Sequence, residues 1–110
     1  MILEIRFSDE FLKAFKKLKK RYKSLPQDVN ALIDDLKTNP EIGIPLRNGM
    51  RKIRIAFASK GRGKAGGGRV IIRLAVSDTQ LSFLYIYDKE DMGNVADNFL
   101  DQIIIEMDEK

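Results

Sequence analysis

The sequence contains no cysteine, no histidine and no tryptophan, and only three prolines in 110 residues. Without cysteine there is no disulfide framework and no thiolate nucleophile. Without histidine the chain lacks the usual general acid–base near neutral pH and the commonest transition-metal ligand. Zinc and copper sites are therefore not expected, and no paired-carboxylate motif in the strand regions suits a harder ion. Long apolar runs are missing too: none approaches the roughly 20 residues that cross a bilayer. The opening Met1-Ile2-Leu3-Glu4-Ile5-Arg6-Phe7 has neither the apolar core nor the cleavage site of a signal peptide. These absences predict one cytoplasmic domain over residues 1–110 with no membrane partner, no metal and no cofactor. Any catalysis must rest on Lys, Arg, Tyr, Asp or Glu.

Charge is plentiful and unevenly placed. Lys and Arg number 20 against 16 Asp and Glu, a net charge of +4. From Lys13 to Lys23 every charged residue is basic, and the same holds from Arg47 to Arg73. From Asp88 onward the sign inverts, with Asp88, Glu90, Asp91, Asp97, Asp101, Glu106, Asp108 and Glu109 against Lys89 and Lys110. A basic body with an acidic end predicts a polyanionic partner for the body.

Periodicity supplies the elements. Leu3, Ile5 and Phe7 alternate with Glu4 and Arg6, as in a half-buried strand. Ser8 is suited to cap a helix, and Asp9 and Glu10 to its first turn. Phe11, Leu12, Phe15, Leu18, Tyr22 and Leu25 then recur at helical spacing. A second helix is expected to open at Pro26, bury Val29, Leu32, Ile33 and Leu36, and stop at Asn39-Pro40. Residues 41–49, with Gly43, Pro45 and Asn48-Gly49, predict a loop.

Strands are expected over Arg51–Ala58, Arg69–Val76 and Gln80–Tyr87, the last apolar on both faces as a central strand should be. Asn94 is expected to cap a final helix with Val95, Phe99, Ile103 and Met107 on its buried stripe. Ile103, Ile104 and Ile105 point in three directions, too many to bury against one sheet. The order β-α-α-β-β-β-α predicts an α+β domain: a largely antiparallel sheet with a helical hairpin on one face and an open basic face.

Side chains two apart on a strand share a face, so Lys52 and Arg54 project together, as do Arg69 and Arg73. Pairing of these strands would gather cations whose repulsion a polyanion relieves. Tyr85 and Tyr87 are expected to share a face with Phe83, one of them reaching the basic surface to stack on a base. The plainer alternative is a solvated basic face, which is also the favoured reading for Lys13 to Lys23 on the first helix. Lys60-Gly61-Arg62-Gly63-Lys64-Ala65-Gly66-Gly67-Gly68 has glycines and cations suited to phosphate. It is not a P-loop, because Ala65 stands where Ser or Thr is needed and no helix follows. A hairpin connection explains it equally well.

Three stretches together resemble the RelE/ParE toxin superfamily and, within it, the HigB-like branch. They are Met50-Arg51-Lys52-Ile53-Arg54, then Gly61 through Ile71 with its Gly-Lys-Ala-Gly-Gly-Gly-Arg core, then Leu84 through Asp91 with Asn94. Family members typically carry a Lys-Ile-Arg strand, a Gly-Lys-Ser-Gly-Gly-Tyr-Arg turn and a Tyr-x-Lys segment before the last helix. The resemblance covers nearly the whole chain. It implies the RelE-like fold, itself similar to small microbial ribonucleases, and a metal-independent mRNA endoribonuclease that is the toxin of a type II toxin–antitoxin pair. The RNA 2′-hydroxyl would be the nucleophile, and the protein would supply protons and charge.

Carried onto matching positions, Arg69 and Arg54 would stabilise the phosphorane, and Lys52 or Lys89 would deprotonate the 2′-hydroxyl. Tyr87 is a candidate proton donor. Arg47, Arg51, Lys60, Arg62, Lys64, Arg73 and Tyr85 complete the expected RNA-binding surface. Gly68 stands where relatives often have Tyr, and Glu90 where some have a catalytic Arg. The implied partners are a cognate antitoxin and mRNA on the ribosome. One alternative is a ParE-like toxin that binds gyrase or another protein without cutting RNA. Another is a nucleic-acid-binding module without turnover.

Overall fold

The computed structural model describes residues 4–61, 67–74 and 79–109. Glu4–Phe7 is strand β1, and Ser8 joins it to helix α1 (Asp9–Arg21) as expected. The Ser8 oxygen accepts the Phe11 amide at 2.8 Å, and its hydroxyl donates to the Leu84 carbonyl at 2.6 Å. Helix α2 (Leu25–Thr38) carries Pro26 in its first turn, where a missing N–H costs nothing. Strands β2 (Ile44–Pro45), β3 (Met50–Ile55), β4 (Gly68–Leu74) and β5 (Gln80–Asp88) lead to helix α3 (Asp97–Asp108). The expected 41–49 loop thus contains β2, which is too short for alternation to reveal. β3 stops before the expected Ala58 because a 3-10 turn, Ala58–Lys60, follows Phe57. Residues 75 and 76, the end of the expected 69–76 strand, lie outside the described residues.

The strand order is β1-β5-β4-β3-β2, with β5 central as its two apolar faces imply. β2 through β5 pair antiparallel, but β1 runs parallel to β5, so the sheet is mixed. Side-chain periodicity carries no information on strand direction. The chain between β1 and β5 is long enough for the crossover that a parallel neighbour requires.

Each face of the sheet has its own core. On the first, Ile53, Ile55, Val70, Ile72, Leu81, Phe83 and Ile86 pack against Phe11, Leu18, Leu25, Val29, Leu32 and Leu36 of the helical hairpin. On the second, Met50, Ile71 and Leu84 pack against Leu100, Ile103, Ile104 and Met107 of α3. The face expected to be open is therefore open at one end only. α3 begins after Ala96 rather than Asn94, which leaves Val95 outside the helix. The buried stripe consequently runs Leu100, Ile103, Ile104 and Met107, and Phe99 stays 39% exposed at its margin. Ile105 faces solvent, as three consecutive isoleucines on a helix require.

One irregularity decides what the open end presents. Ile71 pairs with Tyr85 but Ile72 pairs with Phe83, so Leu84 is an extra residue in a β-bulge. Leu84 and Tyr85 both turn to the second face, and Phe83 remains in the first core. The expectation that both tyrosines share a face with Phe83 fails for this reason. They stand beside Arg69 instead.

Candidate functional site

The open end of the second face is built from cross-strand rows. In one, Arg54 of β3 faces Arg69 of β4, and Arg69 faces Tyr87 of β5; in the next stand Lys52, Ile71 and Tyr85. Directly opposed residues have Cβ atoms about 5 Å apart, so two guanidinium groups and a phenol share one row. Lys52, Arg54, Arg69 and Lys89 line one side of a cleft of about 780 Å³. Asp35, Thr38 and Asn39 from the end of α2, with Ile42, Gly43 and Ile44, form the other side.

Two features of this row are costly for a folded protein. Neither Lys52 nor Arg54 makes an ion pair or side-chain hydrogen bond with any described residue, although like charges directly opposed across strands repel. Arg69 is only 8% exposed, and its Nη1 donates to the Gly68 carbonyl at 2.9 Å. Tyr87 is 4% exposed, and its hydroxyl has no hydrogen-bond partner among the described residues. Burial pushes that hydroxyl's pKa up, and the Arg69 charge pulls it only part of the way back. The phenol is therefore protonated at neutral pH and free to donate. Its ring stacks on Tyr85 with centroids 6.2 Å apart, and Tyr85 meets Phe99 of α3 edge-on at 5.1 Å.

Four other cations expected on the RNA surface are occupied within the protein. Arg47 pairs with Asp101 of α3. Arg51 donates to the carbonyls of Glu41, Ile42 and Gly43, pinning the segment around β2. Arg73 donates to the Asn48 carbonyl at 2.9 Å and lies 3.8 Å from Asp108. Lys60 is on the first face, 2.9 Å from Asp88 and 3.3 Å from Glu90. The acidic end of the sequence thus neutralises much of the basic stretch, which a linear reading of charge cannot foresee. Arg62 and Lys64 lie outside the described residues.

The two departures from the family pattern have local causes. A Cβ at Gly68 would lie 2.3 Å from Cζ of the buried Phe57 and 2.7 Å from the Tyr87 carbonyl, so no side chain fits there. Glu90 is an acid where Lys60 needs one.

No family model matches the chain. Among solved structures it is similar to a mutant of E. coli toxin RelE in the free state, with two arginines replaced by alanine (TM-score 0.61, 13% identity, covering 96% of this chain and 98% of that one). It is also similar to isolated E. coli RelE toxin (TM-score 0.58, 10% identity, 93% and 96% covered). A chain of the Mycobacterium tuberculosis RelBE2 toxin–antitoxin complex matches with TM-score 0.58 at 24% identity, covering 80% of this chain and 99% of that one. The fold is that of the RelE toxins.

On this RelE fold, the sequence-derived Lys52, Arg54, Arg69 and Lys89 come together, and Tyr87 joins them through the bulge. The α2 wall of the cleft was not anticipated, because nothing marks Asp35, Thr38 and Asn39 apart from a helix end. Nor was Asp88, whose only signal is a lone acid closing an apolar strand. Among the described residues of the RelE fold, no group of three or more acids could hold a metal ion, and no helix is long and apolar enough to cross a membrane.

Proposed function

We propose that this chain is the toxin of a type II toxin–antitoxin pair, of the HigB-like branch, and cuts mRNA in the cytoplasm without a metal. The observation that carries the reading is the unpaired Lys52 and Arg54 beside Arg69, Lys89 and a protonated, unpartnered Tyr87. A folded protein keeps such a row at a cost, and an RNA phosphate would offset it. The neutral amine of Lys52 or Lys89 takes the proton of the 2′-hydroxyl, becoming an ammonium, and the 2′-oxygen attacks the adjacent phosphorus. Arg54 and Arg69 hold the non-bridging oxygens as charge builds on them. The bond from phosphorus to the 5′-oxygen breaks, Tyr87 protonates that oxygen, and a 2′,3′-cyclic phosphate remains. Tyr85 and Phe99 offer a stacking surface for a neighbouring base. Similarity to a chain of a toxin–antitoxin complex supports an antitoxin as the protein partner. Translated mRNA on the ribosome is the substrate.

The test is primer extension on cellular mRNA after inducing wild type and Arg69→Ala in bacteria. Codon-phased 5′ ends with wild type alone, from two equally folded proteins, are the expected result. Growth arrest with intact transcripts would replace this reading with a ParE-like one. Neither arrest nor cleavage would leave a binding module.

A further inference from the structure

The buried carboxylate of Asp88 takes no part in the chemistry above, yet it is held by four donors. It is fully buried, and it accepts the Tyr22 hydroxyl at 2.5 Å, Lys60 Nζ at 2.9 Å, Arg21 Nη1 at 3.1 Å and the Glu90 amide at 3.0 Å. These donors come from the end of α1, the Ala58–Lys60 turn and the turn after β5. Strand alternation sends Asp88 to the first face and its neighbour Tyr87 to the second. Lys89, the next residue, lines the cleft, and its amide donates to the Gly67 carbonyl at 3.2 Å. The Asp88 carbonyl also accepts the Asp91 amide at 3.0 Å, so the residue organises its turn through both side chain and backbone.

A buried ion cluster is a poor device for stability alone, since well-packed apolar groups of the same volume do as well or better. What it fixes is geometry, because four donors in set directions tolerate one arrangement. We propose that Asp88 is a positioning residue: clamped from behind the sheet, it holds the turn that presents Lys89 to the cleft. Its kinetic consequence rests on the nuclease reading; the clamp itself does not.

The experiment compares wild type with Asp88→Asn and with Tyr22→Phe, which keeps the ring packed on Phe57 and removes one donor. Each full-length protein is treated with limiting acetic anhydride well below its melting temperature, and the labelling of Lys89 is measured by peptide mass spectrometry against Lys13 on α1. The expected result is a change of at least threefold in the Lys89-to-Lys13 ratio, with the Lys52-to-Lys13 ratio unchanged. A residue that merely stabilised the fold would lower the melting temperature and leave both ratios alone; that outcome overturns the proposal. If Asp88→Asn does not fold, Tyr22→Phe decides the matter by the same ratio. RNA cleavage is then followed with the same proteins. A kcat at least tenfold lower with KM within twofold is expected, and wild-type kcat in a variant with an altered ratio overturns the functional role of the clamp. If wild type cuts no RNA while the ratio shifts, the nuclease reading falls and the clamp stands.

Discussion

Two clusters of cations sit on opposite faces of the same strand ends, and they differ in how their charge is treated. Behind the sheet, Lys60 and Arg21 converge on the buried Asp88, with Glu90 and Asp91 at the rim. In front, Lys52 and Arg54 line an open cleft in which Asp35 stands on the α2 wall but forms an ion pair with neither. The first cluster is complete in the folded protein and the second is not. Composition cannot tell them apart, since each is a basic residue within a basic stretch. What separates a structural cation from a candidate ligand-binding one is whether the fold closes an ion pair on it.

Breaking the closed cluster should have the largest effect. Asp88→Ala leaves the buried Lys60 with only the exposed Glu90 against it, and removing one member of a buried pair costs about 3–5 kcal/mol. Urea denaturation should show this as a lower midpoint with little change in slope.

Emptying the open cluster should do the reverse. Lys52→Gln combined with Arg54→Gln should reduce RNA cleavage by about 100-fold or more, by analogy with removing transition-state donors. Its stability should stay at or above wild type, because a repulsion disappears. Cleavage unchanged in a folded double variant would remove these two residues from the mechanism.

Acid sharpens the same contrast. Burial would raise the Asp88 pKa, but hydrogen bonds from Lys60 and Tyr22 outweigh it and bring it to about 2, below the ordinary 3.8. A depressed carboxylate pKa stabilises the fold above the unfolded value, and that contribution is lost as pH falls through about 2. The loss should reach about 2 kcal/mol between pH 5 and the acid limit, and Asp88→Asn should abolish this part of the pH dependence. The smallest effect is expected at the exposed Arg47–Asp101 pair. Arg47→Gln should cost about 0.5 kcal/mol, with cleavage unaltered.

Much of the fold was legible in the residues because it depends on local pattern. The Ser8 cap, the two hairpin helices and the alternation in β3 and β4 each follow from a few neighbouring side chains. Lys52, Arg54 and Arg69 could be grouped because strand alternation and hairpin pairing place them together. Lys60, Arg47 and Arg73 could not be sorted from them, because their partners Asp88, Asp101 and Asp108 lie 28 to 54 residues away along the chain. The direction of β1 depends on a pairing with β5 that no local pattern records. The orientation of Tyr87 was illegible for another reason: β5 is apolar on both faces, so its pattern looks the same with or without an extra residue.

That extra residue has a consequence for how the chain can vary. Upstream of Leu84 the odd-numbered side chains of β5 belong to the first core; downstream, they turn to the second face beside Arg69. The bulge is a phase shift, and it converts a count of residues into the identity of a reactive group. Replacing Leu84 with another apolar residue leaves the count intact and Tyr87 in its row. Deleting it would remove the bulge and leave both halves of the ladder in register, with Tyr87 still opposite Arg69; straightening β5 with all its residues kept would turn Tyr87 inward. The row of cations owes its phenol to where β5 absorbs its extra residue as much as to the presence of a tyrosine.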